Sequence, residues 1–290
     1  MHKNNPYKEG YNFKELVKNN PELSSYIVFN KLNRETIDFG SNEAIYQLNR
    51  SLLLSNFNLA EYHLPKGYLI PGIPGRLDYL LHLKGFINKK FNYSNEKKLR
   101  GLDIGCGANA IYCILGAQYF NWQMVGSEFD LKAIEFSKKN INFTKNLQEK
   151  INIRRQTNKS YLFKGIINED ELFDFTVCNP PFHNSIQEAS KSALLKINNL
   201  KKSDSNKEIS LNFSGQANEL WCNGGEKLFI KRLIKESVFF KNQVKVFSSL
   251  VSKVNSLITI KTQLKKVNAK FTVLQMNQGN KKSRLILWWF

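Results

Sequence analysis

Residues 99–109 read Leu-Arg-Gly-Leu-Asp-Ile-Gly-Cys-Gly-Ala-Asn, and an apolar stretch, Ala110–Phe120, follows at once. Leu99–Ile104 reads as a short strand and residues 109–120 as a helix, so Gly105 and Gly107 fall on the turn between them. Glycine lets that turn close tightly and approach a ligand, and the start of the helix points free N–H groups to the same place. A Gly-x-Gly pair alone is a weak signal. Trp122–Ser127 reads as the next strand, and Glu128 stands 23 residues beyond Gly105, where a carboxylate can accept from both hydroxyls of a ribose. The glycines do not continue as Gly-x-Gly-x-x-Gly, so a cofactor without a pyrophosphate, S-adenosylmethionine, suits the turn better than a dinucleotide.

Strand and helix go on alternating from there. The patterns predict a helix over 130–146, a strand over 151–155, an irregular connection and a strand over 173–178. Beyond residue 225 they predict a helix over Glu226–Phe240, a strand over Val244–Val251, a helix over Lys253–Val267 and strands over Phe271–Met276 and Leu285–Phe290. Such alternation implies an α/β fold, a parallel sheet with helices on both faces. The last two strands can pair through Gln278-Gly279-Asn280, which gives the antiparallel C-terminal hairpin of a class I, Rossmann-like methyltransferase sheet. Residues 183–225 are polar and long for a connection, as functional lids and disordered segments are.

The strand at 173–178 runs into Cys178-Asn179-Pro180-Pro181-Phe182. Asn179 can accept from an exocyclic NH2, Pro180 offers a carbonyl and no donor, and Phe182 gives a face for stacking. Asn-Pro-Pro is also an ordinary turn after a strand. Residues 1–95 lack the strand–helix alternation and read as a mainly helical N-terminal extension, expected to contact RNA, ahead of a methyltransferase domain over 96–290. Ala44, Ile45, Leu48 and Leu52 recur there at helical spacing, and a Pro/Gly loop, 71–76, feeds a helix over Leu77–Ile87. Arg76 on that loop either caps the surface or reaches a ligand carboxylate with its planar fork; the rigid loop favours the second.

Net charge is +19, with 43 Lys and Arg against 24 Asp and Glu. A polyanion is the natural partner of such a chain, although only eight of the basic residues are Arg and codon bias toward Lys would raise the total too. Two clusters favour nucleic acid: Lys138, Lys139, Lys145, Lys150, Arg154 and Arg155, and then Lys191, Lys196, Lys201, Lys202 and Lys207, which follow the Asn-Pro-Pro-Phe string. Four cysteines, Cys106, Cys113, Cys178 and Cys222, show no Cys-x-x-Cys spacing, and no 18-residue apolar run or secretory leader is visible. A reduced cytoplasmic protein without a metal site or membrane span is expected.

Asn179–Phe182 resembles motif IV of the amino-methyltransferases. Together with Pro71–Tyr79, residues 103–109, Glu219–Glu226 and Ser283–Trp288, it resembles the ribosomal large-subunit methyltransferase F family over nearly the whole chain. That family makes one 6-methyladenine in 23S ribosomal RNA. The resemblance implies that Arg76, Gly105, Asn109, Glu128 and Asn179 line the S-adenosylmethionine site, to which the reading of the turn adds Gly107 and Asp103, and that Asn179, Pro180, Pro181 and Phe182 form the catalytic tetrad. It implies as substrate 23S ribosomal RNA or a large-subunit assembly intermediate, and a monomer is expected. Cys106 differs from the small residue of some relatives and receives no role.

Asp103 either orients the glycine turn by accepting its N–H groups or meets the cofactor ammonium, the first being favoured. His183 reads as a structural or RNA-facing neighbour rather than a base, and Trp221 either shapes the substrate entrance or packs the following helix. A protein-glutamine methyltransferase and a non-catalytic RNA-binding assembly factor remain as alternatives. The first does not account for the basic charge, nor the second for the presence of Gly105, Glu128 and Asn179 together.

Overall fold

Gly101–Ile104 runs beside residues 175–178 in the centre of a seven-stranded sheet, so the two sequence motifs begin on neighbouring strands. The computed structural model describes residues 1–181, 225–278 and 281–290. Along the chain the elements are α1 (Phe13–Asn19), β1 (Ile27–Phe29), β2 (Glu35–Ile37), α2 (Asn42–Asn56), α3 (Ile73–Phe91), β3 (Arg100–Ile104), α4 (Ile111–Phe120), β4 (Gln123–Glu128), α5 (Leu131–Asn142), α6 (Lys145–Gln148), β5 (Ile151–Arg155) and β6 (Phe173–Cys178). There follow α7 (Gly225–Ser237), β7 (Val244–Val251), α8 (Val254–Lys266), β8 (Lys270–Gln278) and β9 (Lys281–Trp289). The sheet order is β5-β4-β3-β6-β7-β9-β8; β9 alone runs against its neighbours, and β8 and β9 form the expected antiparallel hairpin.

The chain leaves β3 toward β4 and β5 on one side and returns to β6 on the other. The crevice between the ends of β3 and β6 is therefore the point where the strand order reverses, the usual ligand position of an open α/β sheet. Alternation along β9 shows how both faces are covered. Leu285 and Leu287 join one core with Tyr79, Leu80, Leu83 and the α4 residues Ile111 and Ile114. Ile286 and Trp288 join the other with Ile230, Leu233, Ile260 and Leu264. Burying side chains of this size contributes about 1.5–3 kcal/mol each, so both helical layers are held firmly. Over Ile111–Ala117 helix α4 is apolar on every face, and every residue of that stretch is buried.

Residues 1–95 join the first of these cores: Phe13, Leu16, Leu23, Leu48 and Leu52 are in one cluster with Leu99, Ile114 and Phe175. Several expectations need correcting here. The extension holds a small antiparallel hairpin, β1–β2, which three-residue strands are too short to announce as a period of two. Helix α3 begins at Ile73, not Leu77, because Pro74 sits in the first turn, where a missing N–H costs nothing. Arg76 is thus a helix residue. The helix expected over 130–146 ends at Asn142, and α6 is a separate short turn. Arg154 is not part of a free basic face, since both its terminal nitrogens bind Glu171, at 2.5 and 2.6 Å, and hold that carboxyl down to about 2.

Candidate active site

At the end of β3 the chain turns through Gly105 (φ +73°) and Gly107 (φ +63°), a conformation that suits glycine, and a side chain built on Gly105 would meet nothing within 4 Å. Open space therefore lies directly in front of the turn. The N–H groups of Gly105 and Cys106 both donate to the Ser127 carbonyl at 2.9 Å, and that of Gly107 donates to Glu128 Oε2 at 2.9 Å. Ala110, also at positive φ, starts α4, and Asn109 Oδ1 accepts from the N–H of Ile111 at 3.0 Å.

These contacts correct the role favoured for Asp103. The backbone donors of the turn are taken by Ser127 and Glu128, leaving Asp103 buried beneath, 3.9 Å from the Cys113 thiol. Burial raises its carboxyl to about 8, although the Arg76 charge pulls the other way. Glu128 is modified too. Its Oε1 accepts from Phe129 and Asp130, at 2.7 and 2.9 Å, so with Gly107 three backbone donors occupy a group with about four acceptor places. One further donor fits easily, rather than the two hydroxyls anticipated. Burial raises this carboxyl as well, against the pull of those three bonds.

Opposite the turn, α3 delivers Arg76. Its Nη1 donates to Asn179 Oδ1 at 3.0 Å and to the Tyr112 hydroxyl at 3.1 Å, and the guanidinium lies 5.5 Å from the centre of the Tyr112 ring. Tyr112 is buried, which pushes its hydroxyl up to about 12. A segment of the extension forms the remaining wall: Tyr68, Leu69 and Pro71 line the cavity, and Asn109 Nδ2 ties it down by donating to the Leu69 carbonyl at 3.2 Å. Farther back, the amide of Asn140 makes paired 2.8 Å bonds with the backbone of His63.

One cavity, open to solvent, is lined by all of Arg76, Asp103, Gly105, Gly107, Asn109, Glu128 and Asn179. Pro181 lines it as well, and Pro180 beside it is buried. Phe182, His183, the lysines from Lys191 to Lys207, the block Glu219–Gly224 with Trp221 and Cys222, the long polar loop up to residue 224 and the Gly279-Asn280 turn lie outside the described residues. Cys106 is buried at the edge of the cavity, and burial raises its thiol well above the ordinary range, so it is not a reactive thiolate. Sequence reasoning missed Tyr79, Tyr112 and the wall at Tyr68–Leu69. Tyr79 closes the Pro71–Tyr79 block, but nothing local in a sequence shows where a tyrosine tip points. Among the described residues no cluster suits a metal ion and no helix is long and apolar enough to cross a membrane.

A family model described as RNA methyltransferase matches residues 1–290. The ribosomal RNA large subunit methyltransferase F of Christiangramia forsetii is 46% identical over 290 residues, covering all of both chains. That of Colwellia psychrerythraea is 46% identical over 297 residues, 100% of this chain and 99% of its own. Among solved structures, the N-terminal domain of human METTL16 in complex with SAH has a TM-score of 0.78 at 28% identity, covering 100% of this chain and 98% of that one. The hMettl16 catalytic domain bound to MAT2A 3′UTR hairpin 6 has a TM-score of 0.79 at 28% identity, covering 100% and 97%. With its entire length matched and a glycine turn and an asparagine–proline turn meeting in one crevice, the chain belongs to the RNA methyltransferase family.

Proposed function

We propose that this protein transfers a methyl group from S-adenosylmethionine to the 6-amino nitrogen of one adenine in 23S ribosomal RNA. The observation that carries the reading is that Gly105 and Asn179, on adjacent strand ends, line a single cavity. The relatives named ribosomal RNA large subunit methyltransferase F support the substrate. The residues present suit the cofactor: open space before Gly105 admits a ligand, Glu128 keeps an acceptor for a ribose hydroxyl, and the half-buried Arg76 and the buried Asp103 can receive a carboxylate and an ammonium.

S-adenosylmethionine supplies an electrophilic methyl carbon on a positively charged sulfur. The protein has to deliver an amino nitrogen whose lone pair is delocalised into the adenine ring, so positioning carries most of the catalysis. Asn179 Oδ1 would accept a hydrogen bond from one amino N–H and the Pro180 carbonyl from the other, which would free the lone pair toward the methyl carbon. Such bonds contribute about 1–3 kcal/mol each in a dry site. After transfer the nitrogen carries a surplus proton, which passes to water. Phe182 supplies the stacking face for the extruded base.

The N-terminal extension provides an RNA surface of its own. Phe29, Leu32 and Phe39 are 65%, 74% and 56% exposed around the β1–β2 hairpin, with Lys31 and Arg34 exposed between the strands. Aromatic faces interleaved with cations are the equipment for unpaired nucleotides. The deciding experiment gives the protein 23S RNA, protein-free or in an assembly intermediate, from cells lacking the gene, and analyses the nucleosides by mass spectrometry. One 6-methyladenine should form with the wild type and none with folded Asn179→Ala; no gain of 6-methyladenine with the wild type on either substrate would overturn the assignment.

A further inference from the structure

Arg76 Nη1 is shared between Asn179 Oδ1, at 3.0 Å, and the Tyr112 hydroxyl, at 3.1 Å, while the rest of its guanidinium has no hydrogen-bond partner among the described residues. The fork is therefore half used. Of its two bonds, one goes to the oxygen that, on the reading above, must accept a hydrogen bond from the adenine amino group. An amide oxygen has two lone pairs. One of them is occupied here by a cationic donor, and the positive charge beside it weakens the other as an acceptor. A carboxylate is a far better partner for a guanidinium than a neutral amide, because it takes two parallel bonds with opposite charge.

We infer that Arg76 is a positioning residue that couples the two ends of the cavity: it holds Asn179 Oδ1 until a ligand carboxylate draws the guanidinium away, and only then is that oxygen fully available to the base. This rests on the proposed cofactor and base sites. The neighbourhood permits such a shift. Tyr112 presents a fixed hydroxyl and ring as a pivot, and α3, which carries Arg76, is pinned from behind by Asn5 and the backbone of His2 on Asp78, at 3.1 and 2.6 Å. The side chain can move without its helix. The coupling favours cofactor before RNA base, and it is reciprocal, so the base also tightens the hold on the carboxylate.

The test measures binding, not turnover. Affinity of the full chain for 23S RNA lacking the methyl mark is determined with saturating S-adenosylhomocysteine and, in parallel, with its decarboxylated analogue, which keeps the nucleoside and the ammonium. Phosphate contacts are common to both measurements and cancel in the ratio. The wild type should bind RNA at least about five-fold more tightly with the carboxylate present. In Arg76→Ala the ratio should fall to about one, and in Arg76→Lys, which keeps the charge but not the fork, it should fall clearly below the wild-type value. A residue that merely joins α3 to α4 would change stability and leave the ratio alone. Equal affinities in the wild type, or a ratio that survives both substitutions, would overturn the inference while leaving the cofactor site standing. If calorimetry showed neither nucleoside binding to the wild type, the cofactor site and the coupling would fall together.

Discussion

Glu128 holds the N–H of Gly107 with one carboxylate oxygen, at 2.9 Å, and those of Phe129 and Asp130 with the other, so one side chain fixes both the glycine turn and the start of the next helix. In Glu128→Gln the amide nitrogen would face a backbone donor. The loss of at least one charge-assisted bond, about 1.5–3 kcal/mol, should weaken S-adenosylhomocysteine binding roughly ten-fold or more by calorimetry. Undiminished binding would show that the cofactor does not depend on this turn.

Tyr79 should govern turnover without touching a ligand. It is fully buried; its hydroxyl shares a 2.8 Å bond with Ser248 and accepts from the N–H of Cys178, the residue before Asn179, at 3.4 Å. Tyr79→Phe frees the strand end that aims the asparagine, and a displacement of even 1 Å costs up to about 100-fold in rate. The expected result is a lower kcat with unchanged S-adenosylhomocysteine affinity; an unchanged kcat would remove Tyr79 from the positioning of the turn.

Asp103 sets a pH dependence whose sign is fixed. Burial raises its carboxyl from 3.8 to about 8, so between those values the folded chain retains a proton that the unfolded chain has lost. Its contribution to stability is complete below pH 3.8 and is lost as pH rises through 8, at up to about 1.4 kcal/mol per pH unit. Melting curves of wild type and Asp103→Asn at pH 5 and pH 8 should show the variant gaining on the wild type at the higher pH. Parallel curves would contradict it.

The hairpin can be separated from ordinary electrostatics by salt. Phe29→Ala with Phe39→Ala should reduce RNA affinity by about 1–3 kcal/mol for each stacked base and leave the slope against salt unchanged. Lys31→Gln and Arg34→Gln should each lower that slope by about one if they meet phosphates. Filter binding over a salt series reads both, and unaltered affinity in all four substitutions would take the hairpin out of the RNA surface.

The parallel sheet was legible because β3, β4 and β6 are short apolar runs ended by glycine, acid or proline, signals that survive in one dimension. The C-terminal strands were legible from alternation, and the structure extends each by a few residues along the hairpin. The start of α3 is hidden in the sequence because Pro-Gly-Ile-Pro-Gly carries loop chemistry, while a proline in a first helical turn carries the same letters. The β1–β2 hairpin offered no period to read. In the site, residue types at strand ends identified Gly105, Glu128 and Asn179 as candidates, but not what each one is bonded to.

The order of residues alone determined the strand–helix alternation, the two turns and the basic charge, because these depend on local backbone preference and composition. Tertiary structure decided that Arg76 reaches across 103 residues to Asn179, that Asp103 lies buried under the turn rather than bonded to it, and that Arg154 is committed to Glu171. The reason is physical: a polar side chain's partner and its desolvation depend on what packs around it, and chain neighbours do not fix that.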